Sequence, residues 1–176
     1  MQRQTHTALD LDGPMWRFAL AFYGMPGIPD VCLKLQDESG VDVIGVIAVL
    51  YAGMVLDRNL SADDISALRD DMARWREDTV LPLRRLRRDL KRPPGTFPAA
   101  ETESLRNIIK KAELKAEQIQ LAMTARWLHL RPAQSGLPVK DALGLLSPTP
   151  PGPSAALLDQ LIAAAREAAS ESRRQS

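Results

Sequence analysis

The sequence is poor in the residues that build disulfide, metal and redox sites. It has one cysteine, Cys32, and two histidines, His6 and His129. One cysteine cannot form a disulfide within the chain, and the three residues are too few for a cysteine and histidine zinc cluster. No histidine lies near Cys32 in the sequence, so no nucleophile and base pair is evident. We therefore predict no metal site, no cofactor and no catalytic residues, and whether the protein is an enzyme stays open.

The chain also lacks a charge excess and a long apolar run. Its 23 Lys and Arg residues oppose 22 Asp and Glu residues, which leaves a net charge of +1 at pH 7. Such a balance argues against a protein that coats nucleic acid or a membrane with its whole surface. The most apolar stretch, 43–56, is shorter than the ~20 residues that span a bilayer, and residues 1–12 lack the apolar core of a secretory signal. These absences predict a cytoplasmic protein without membrane contact.

What is present is helical patterning. Apolar residues recur at helical spacing, and no alternating run typical of a strand is found. We predict an all-α fold, a single bundle of about five or six helices around the helix 41–56, which has no polar face. Ser39 and Ser61 each lie three residues before an aspartate, which is the spacing of a capping box.

Composition divides the chain into four segments. We expect a flexible N-terminus over 1–12, a helical domain over 13–130, a proline-rich and partly extended linker over 131–153, and an amphipathic C-terminal helix with its tail over 154–176. Such a terminal helix can dock on its own domain, on a second copy or in a partner's groove. We therefore favour a non-enzymatic interaction or adaptor module, which binds an unknown protein or associates with itself through the C-terminal helix.

The longest expected helix, 101–130, has two different faces. A broad apolar face is expected to pack on the core, and it comprises Leu105, Ile108, Ile109, Ala112, Ala116, Ile119, Met123, Trp127 and Leu130. Beside it runs a narrow polar stripe of Glu113, Glu117, Gln120 and Thr124, followed by a second apolar row. If both apolar rows are covered, these carboxylates lose water and need a cation or hydrogen-bond donors.

The basic helix that begins near Pro82 is the expected source of cations. Its row of Leu83, Leu86 and Leu90 is expected to face inward. Arg84 and Arg87 are then closest to the polar stripe, and Arg88 lies further round. Three uses are open: a structural salt-bridge network, a pocket in which guanidinium groups bind a phosphate or carboxylate, or a nucleic-acid patch. Acidic neighbours and few aromatic residues argue against nucleic acid.

Gln36 and Asp37 join the candidate site from the end of the second helix, where the helix dipole disfavours an acid unless a cation offsets it. An enzyme that holds an anionic substrate here would use Glu113 or Glu117 as its general base. The complete candidate site, as a polar network or an anion pocket, is Arg84, Arg87, Arg88, Glu113, Glu117, Gln120, Gln36 and Asp37.

Several short motifs carry a family resemblance. They are Trp16-x-Phe18-Ala19-Leu20, Cys32-Leu33-x-Leu35-Gln36-Asp37, Gly40-x-Asp42-Val43, Pro82-Leu83-Arg84-x-x-Arg87-Arg88-x-Leu90-Lys91 and Glu113-Leu114-x-Ala116-Glu117. Together they resemble an uncharacterised proteobacterial family of short proteins that is known only as a domain of unknown function. The resemblance covers residues 13–130. It implies a domain boundary near residue 130 and a variable tail, and it implies no particular activity.

Overall fold

A computed structural model describes residues 8–132, 135–148 and 150–174. Over these ranges the chain forms helices and turns and no strand, which confirms the all-α prediction. A π-helical turn, Arg76–Val80, joins the fourth helix to the fifth. The α-helices are α1 (Pro14–Tyr23), α2 (Ile28–Ser39), α3 (Val43–Met54), α4 (Ala62–Trp75), α5 (Leu81–Asp89), α6 (Ala99–Leu130), α7 (Val139–Gly144) and α8 (Ala155–Arg174). No helix in the described ranges has the length and apolarity that crossing a membrane requires.

Helix α3 lies in the centre of the bundle, as its sequence predicts. All its residues from Val43 to Ala52 are buried except Gly45. It contacts α1, α2, α6, α7 and α8, because a helix that is apolar on every side gains most when other helices remove all of its surface from water. From α1, the Phe18 ring meets the Tyr51 ring edge to face, with 5.6 Å between the ring centroids.

The two expected capping boxes have different outcomes. At the start of α4, the Ser61 hydroxyl accepts from the Asp64 N–H and the Asp64 carboxylate accepts from the Ser61 N–H, as predicted. The other box is wrong, because Ser39 is the last residue of α2. Asp42 caps α3 by itself and accepts from the Ile44 N–H at 3.3 Å. Gly40, with φ of 62°, takes the left-handed conformation that ends α2 and redirects the chain.

The C-terminal helix α8 packs on its own domain. It contacts α1, α2, α3 and α7, and its buried residues include Leu158, Leu161, Ile162, Ala165, Ala168 and Ala169. Within the predicted linker 131–153, which we expect to be extended only at the prolines of 148–153, residues Val139–Gly144 form the helix α7. Ala142 and Leu143 of α7 are buried, and this burial explains why the segment is ordered as a helix. The apolar face that a partner or a second copy would need is therefore covered within the chain.

Helix α6 turns a different face to the core from the one expected. Its buried residues are Glu113, Ala116, Gln120, Leu121, Ala122, Thr124 and Leu128. Most of the broad apolar face is exposed, at Leu105, Ile108, Ala112, Met123 and Leu130. The prediction that this face packs on the core is wrong, and so is the inward position of Leu86 on α5, which is also exposed. The polar stripe can be buried because α5 supplies cations to it.

Candidate functional site

Two arginines of α5 meet two glutamates of α6 in a network of ion pairs. Arg84 donates from Nε to Glu113 Oε1 at 3.0 Å and from Nη2 to Glu117 Oε1 at 2.5 Å. Arg87 donates to both carboxylate oxygens of Glu113, from Nε and from Nη2. The structure thus brings together the four residues that the helix faces place near each other. Two positive and two negative groups balance in charge, so no surplus cation remains within these four.

Helix spacing explains how so few residues make this network. Glu113 and Glu117 lie four residues apart, and Arg84 and Arg87 lie three apart, so each pair shares one helix face. The Glu113 side chain is only 8% exposed, whereas those of Arg84 and Arg87 are 16% and 22% exposed. Glu113 is therefore the buried centre of the network, and the guanidinium groups reach it from the solvent side.

The two glutamates have pKa values that move in opposite directions. Burial alone raises the pKa of Glu113, but the hydrogen bonds and charges of Arg87 and Arg84 outweigh burial and leave this pKa below its ordinary value. Burial also raises the pKa of Glu117, and Arg84 does not cancel this effect, while the negative charges of Glu113 and Asp42 raise the pKa further. Glu117 is thus the carboxylate whose charge is less fully compensated.

The other expected site residues lie outside these four. Arg88 Nη2 lies 3.6 Å from Asp37 Oδ1, and both side chains are about half exposed, so this contact contributes little to stability. Gln120 lies deeper and donates from Nε2 to Asp42 Oδ2 at 3.4 Å. Gln36 lines a cavity beside the network.

That cavity, which we name the α1 cavity, has a volume of about 290 Å³ and lies between α1, α3 and α6. Most of its wall is apolar. Its polar lining residues are Gln36, Asp42, Arg84 and Glu117, with the aromatic rings of Trp16 and Tyr23 on the α1 side. Two carboxylates therefore border an apolar space that also touches two aromatic side chains.

Tyr23 and Cys32 show that nucleophilic chemistry is disfavoured beside this cavity. Burial raises the pKa of Cys32 to about 11, although a hydrogen bond with Tyr23 opposes the effect. Burial likewise raises the pKa of Tyr23, with further contributions from Cys32 and Glu117. Both groups are protonated at neutral pH, and a protonated thiol is a poor nucleophile.

A second cavity of about 210 Å³ lies on the other side of Asp42, and we name it the α4 cavity. Its walls come from α4, the π-helical turn, the start of α3 and residues 145–148. Gln120 and Thr124 of α6 also line it. Arg76 of the π-helical turn lies 3.5 Å from the Asp42 carboxylate, and Gln120 of α6 donates to the same carboxylate. Asp42 therefore contacts residues from two walls of the α4 cavity.

Sequence reasoning missed the part that α1 plays in the site. Trp16 and Tyr23 were not among the expected site residues, and Asp42 was expected mainly to cap α3. The position of Asp42 is a signal for its role in the site, because Asp42 caps α3 and the sequence predicts that α3 is the central helix. No local signal identifies Trp16 or Tyr23, because their role depends on what lies opposite α1 in the bundle.

Comparison with known proteins places the chain in a family. No curated protein and no solved structure matches it. A family model described as "Protein of unknown function (DUF2390)" matches residues 14–124. The matched segment contains every residue that lines the α1 cavity and all four residues of the ion-pair network. The chain therefore belongs to this family of proteins of unknown function.

Proposed function

We propose that this domain binds a small organic amine in the α1 cavity. The apolar body of the amine lies between α1 and α3, and its ammonium group lies beside Glu117 and Asp42. The observation that carries the proposal is that two carboxylates and two aromatic rings border one largely apolar cavity of about 290 Å³. A concave apolar space with a few convergent polar groups is the usual form of a small-molecule site.

The charged residues that line the α1 cavity favour a cationic ligand, because Asp42 and Glu117 oppose the one guanidinium group of Arg84 and Arg76, which lies 3.5 Å from Asp42, is outside this lining. Arg84 is the cation among the residues that line the α1 cavity, and it is already bonded to Glu113 and Glu117. The negative charge of Asp42 contributes to the raised pKa of Glu117. An ammonium group between these two carboxylates would lower that pKa and form charge-assisted hydrogen bonds.

The aromatic side chains favour the same ligand class. Trp16 and Tyr23 both line the α1 cavity, and the faces of indole and phenol rings attract organic cations. Leu20 and Ile47 supply apolar wall for the rest of the molecule. An amine with one ring or a short alkyl chain satisfies both kinds of lining.

An anionic ligand is the weaker alternative for the same residues. Arg84 and Arg87 are each bonded to Glu113, so a phosphate or carboxylate would have to compete with a buried carboxylate that already fills the guanidinium forks. Nucleic acid would meet the same competition and the acidic side chains of Asp37 and Asp89 near the basic helix. We therefore assign Arg84 to positioning Glu117 and Arg87 to holding Glu113.

Isothermal titration calorimetry with phenethylamine and phenylacetate tests the sign of the ligand charge, because the two probes share one ring and differ in the charged group. We expect phenethylamine to bind and phenylacetate to bind at least about tenfold more weakly. In Glu117→Gln the side chain can still accept from Arg84 but has no charge. The affinity of the Glu117→Gln protein for phenethylamine should fall at least about tenfold, since a hydrogen bond to a charged group is worth roughly 1.5–3 kcal/mol.

Glu101→Gln is the matched control, because Glu101 is exposed on the same helix and should leave amine binding unchanged. Tighter binding of phenylacetate would transfer the site to the anionic alternative. Binding of neither probe at millimolar concentration, or equal affinities of Glu117→Gln and the wild type, would refute the proposal.

Interaction with another protein is a second candidate function, and the exposed apolar face of α6 favours it. We name Leu105, Ile108, Ala112, Ile119, Met123 and Leu130 the α6 outer face. Ile108 is 60% exposed and Leu130 is 74% exposed. Contiguous apolar surface of this kind marks interaction sites. This face replaces α8 as the surface for the adaptor role, because the apolar side of α8 is buried within the chain.

A second copy of the chain is the occupant that the charges of α6 favour. Exposed Glu101 and Arg126 lie on the outer face near its opposite ends, separated by about seven helical turns. Antiparallel pairing of two α6 helices would place Glu101 of one copy opposite Arg126 of the other. The same register sets Ile108 opposite Ile119 and places Leu105 within one residue of Met123, so that apolar residues face apolar residues.

Light scattering after size exclusion tests this pairing. We expect a dimer that Ile108→Glu converts to a monomer, because a charge among the apolar residues of the α6 outer face opposes their burial. Asn107→Glu adds the same charge to an exposed position on another side of α6 and should leave the dimer intact. A wild-type protein that stays monomeric at about 100 μM would refute self-association, since stable dimers dissociate only well below this concentration.

A further inference from the structure

Two residues that line the α4 cavity each have a buried polar atom with no hydrogen-bond partner among the described residues. These atoms are Gln120 Oε1 and Thr124 Oγ1. The Gln120 and Thr124 residues are 1% and 0% exposed, and both line the α4 cavity. Buried polar groups in proteins are nearly always hydrogen-bonded, and each unpaired one lowers stability. Two of them on one turn of α6, at one cavity, indicate an arrangement for a ligand.

The orientation of the Gln120 amide follows from Asp42. The Asp42 carboxylate can only accept hydrogen bonds, so the Gln120 Nε2 group must face it, at 3.4 Å. The amide oxygen then points away from Asp42. Rotating the amide would bring two acceptor oxygens together, so the protein cannot satisfy Oε1 by a simple flip.

The shape of the α4 cavity depends on close packing against two glycines. Residues 145–148 form one wall, and they approach α3 closely because two glycines lie opposite. A Cβ atom on Gly45 would lie 3.2 Å from Leu146, and one on Gly40 would lie 3.2 Å from Pro148. The π-helical turn contributes Arg76 and Glu77 to the rim, and such turns are frequent at functional sites.

We propose that the α4 cavity is a second binding site, for a small uncharged molecule with an apolar body and one hydroxyl group. The hydroxyl lies between Gln120 and Thr124, where it donates to Gln120 Oε1 and accepts from the Thr124 hydroxyl. A hydroxyl both donates and accepts, and so it satisfies both atoms at once. The apolar body contacts Ile65, Leu68 and Met72. A net charge on the ligand is disfavoured, because Asp42, Arg76, Arg69 and Glu77 balance one another at the cavity.

Without ligand, removal of the Thr124 hydroxyl should stabilise the protein. Thr124→Val keeps the shape of the side chain and removes the unpaired hydroxyl. Its Tm should rise by about 2–4 °C, because the variant no longer buries an unsatisfied group. Thr102→Val is the matched control on the same helix, since the Thr102 hydroxyl donates to Pro98 O at 2.7 Å, and its Tm should not rise. A fall in the Tm of Thr124→Val would show that this hydroxyl is satisfied, which would overturn the proposal.

Binding is tested with benzyl alcohol and toluene, which differ only by the hydroxyl group on the methyl carbon. In a nuclear magnetic resonance titration of the full chain, benzyl alcohol should bind at least about fivefold more tightly than toluene and shift the amide signals of Ala73 and Leu146. Thr124→Val should remove this preference. Equal affinities of the two probes for the wild type would overturn the proposal.

The same titration separates this site from the amine site. Shifts confined to Trp16 and Leu20 would place benzyl alcohol in the α1 cavity and overturn the proposal for the α4 cavity, whatever the outcome for phenethylamine. Conversely, the amine site can fail while benzyl alcohol binds beside Thr124, because Glu117 does not line the α4 cavity.

Discussion

The two faces of α6 contrast in a way that runs against their composition. The outer face is rich in apolar residues and is mostly exposed, whereas the buried inner face combines leucine and alanine with carboxylate, amide and hydroxyl groups. The difference teaches that the apolar content of a helix face does not by itself decide its burial. What decides it is whether the rest of the molecule offers apolar surface to one face or hydrogen-bond partners to the other.

Polar groups of the inner face form hydrogen bonds with residues of α5 and with a residue at the start of α3. The arginines of α5 bond Glu113 and Glu117, and the start of α3 offers Asp42 to Gln120. Helices α1, α7 and α8 also contact α3, and they complete the core around it. The apolar residues on the outer face of α6 are therefore not needed to cover α3. The largest expected effects therefore come from the buried polar and apolar residues of the inner face.

The sharpest test compares two leucines that lie two residues apart. Leu128 is 1% exposed and Leu130 is 74% exposed. Leu128→Ala should lower the free energy of unfolding by about 3 kcal/mol, with a Tm lower by about 6–12 °C, because it leaves a cavity in the core. Leu130→Ala should change this free energy by less than about 0.5 kcal/mol. Urea denaturation measures both, and equal effects would mean that α6 is rotated relative to this structure.

The buried network should cost more to break than an exposed pair on the same helix. Glu113→Ala leaves Arg84 and Arg87 without their shared carboxylate and should lower the free energy of unfolding by about 2–3 kcal/mol. Glu103→Ala removes the pair between Glu103 and Arg106, in which the carboxylate is half exposed, and should cost less than about 0.5 kcal/mol. A cost for Glu113→Ala as small as that for Glu103→Ala would show that water compensates the network.

The smallest expected effects are the pH dependences of the two glutamates. The folded-state pKa of Glu113 is lowered, so its stabilising contribution is present above about pH 4 and is lost as the pH falls through that pKa. The folded-state pKa of Glu117 is raised, so its contribution is present below about pH 4 and is lost as the pH rises through that pKa.

Unfolding free energies of Glu113→Gln and Glu117→Gln between pH 3 and pH 7 should therefore diverge from the wild type in opposite ways. Glu113→Gln should be less stable than the wild type at neutral pH, and the difference should shrink on acidification. The free energy of unfolding of Glu117→Gln, relative to the wild type, should be highest at neutral pH and should decrease as the pH falls. The same trend in both variants would contradict the opposite pKa directions.

Much of the secondary structure was predictable from local signals. Pro14 and Gly24 bound α1, and Ser61 with Asp64 marks the start of α4. The fifth helix was expected to begin separately at Pro82. This start is confirmed, because α5 begins at Leu81 with Pro82 in its first turn. The π-helical turn that joins α4 to α5 was not predicted, and it lies where Pro82 interrupts the regular hydrogen-bond ladder. The meeting of Arg84 with Glu113 was also predictable, since the charges lie on facing sides of two consecutive helices.

By itself the sequence determined where most of the helices, though not α7, begin and end, because caps, prolines and glycines act within a few residues of the chain. It also determined that α3 is central, because that helix has no polar face to expose. Only the tertiary structure decided that α8 covers its own domain, that the polar face of α6 is buried, and that cavities lie on both sides of Asp42. These features depend on which surfaces of distant segments lie opposite one another, and the desolvation and pairing that set the pKa of Glu117 exist only once those surfaces meet.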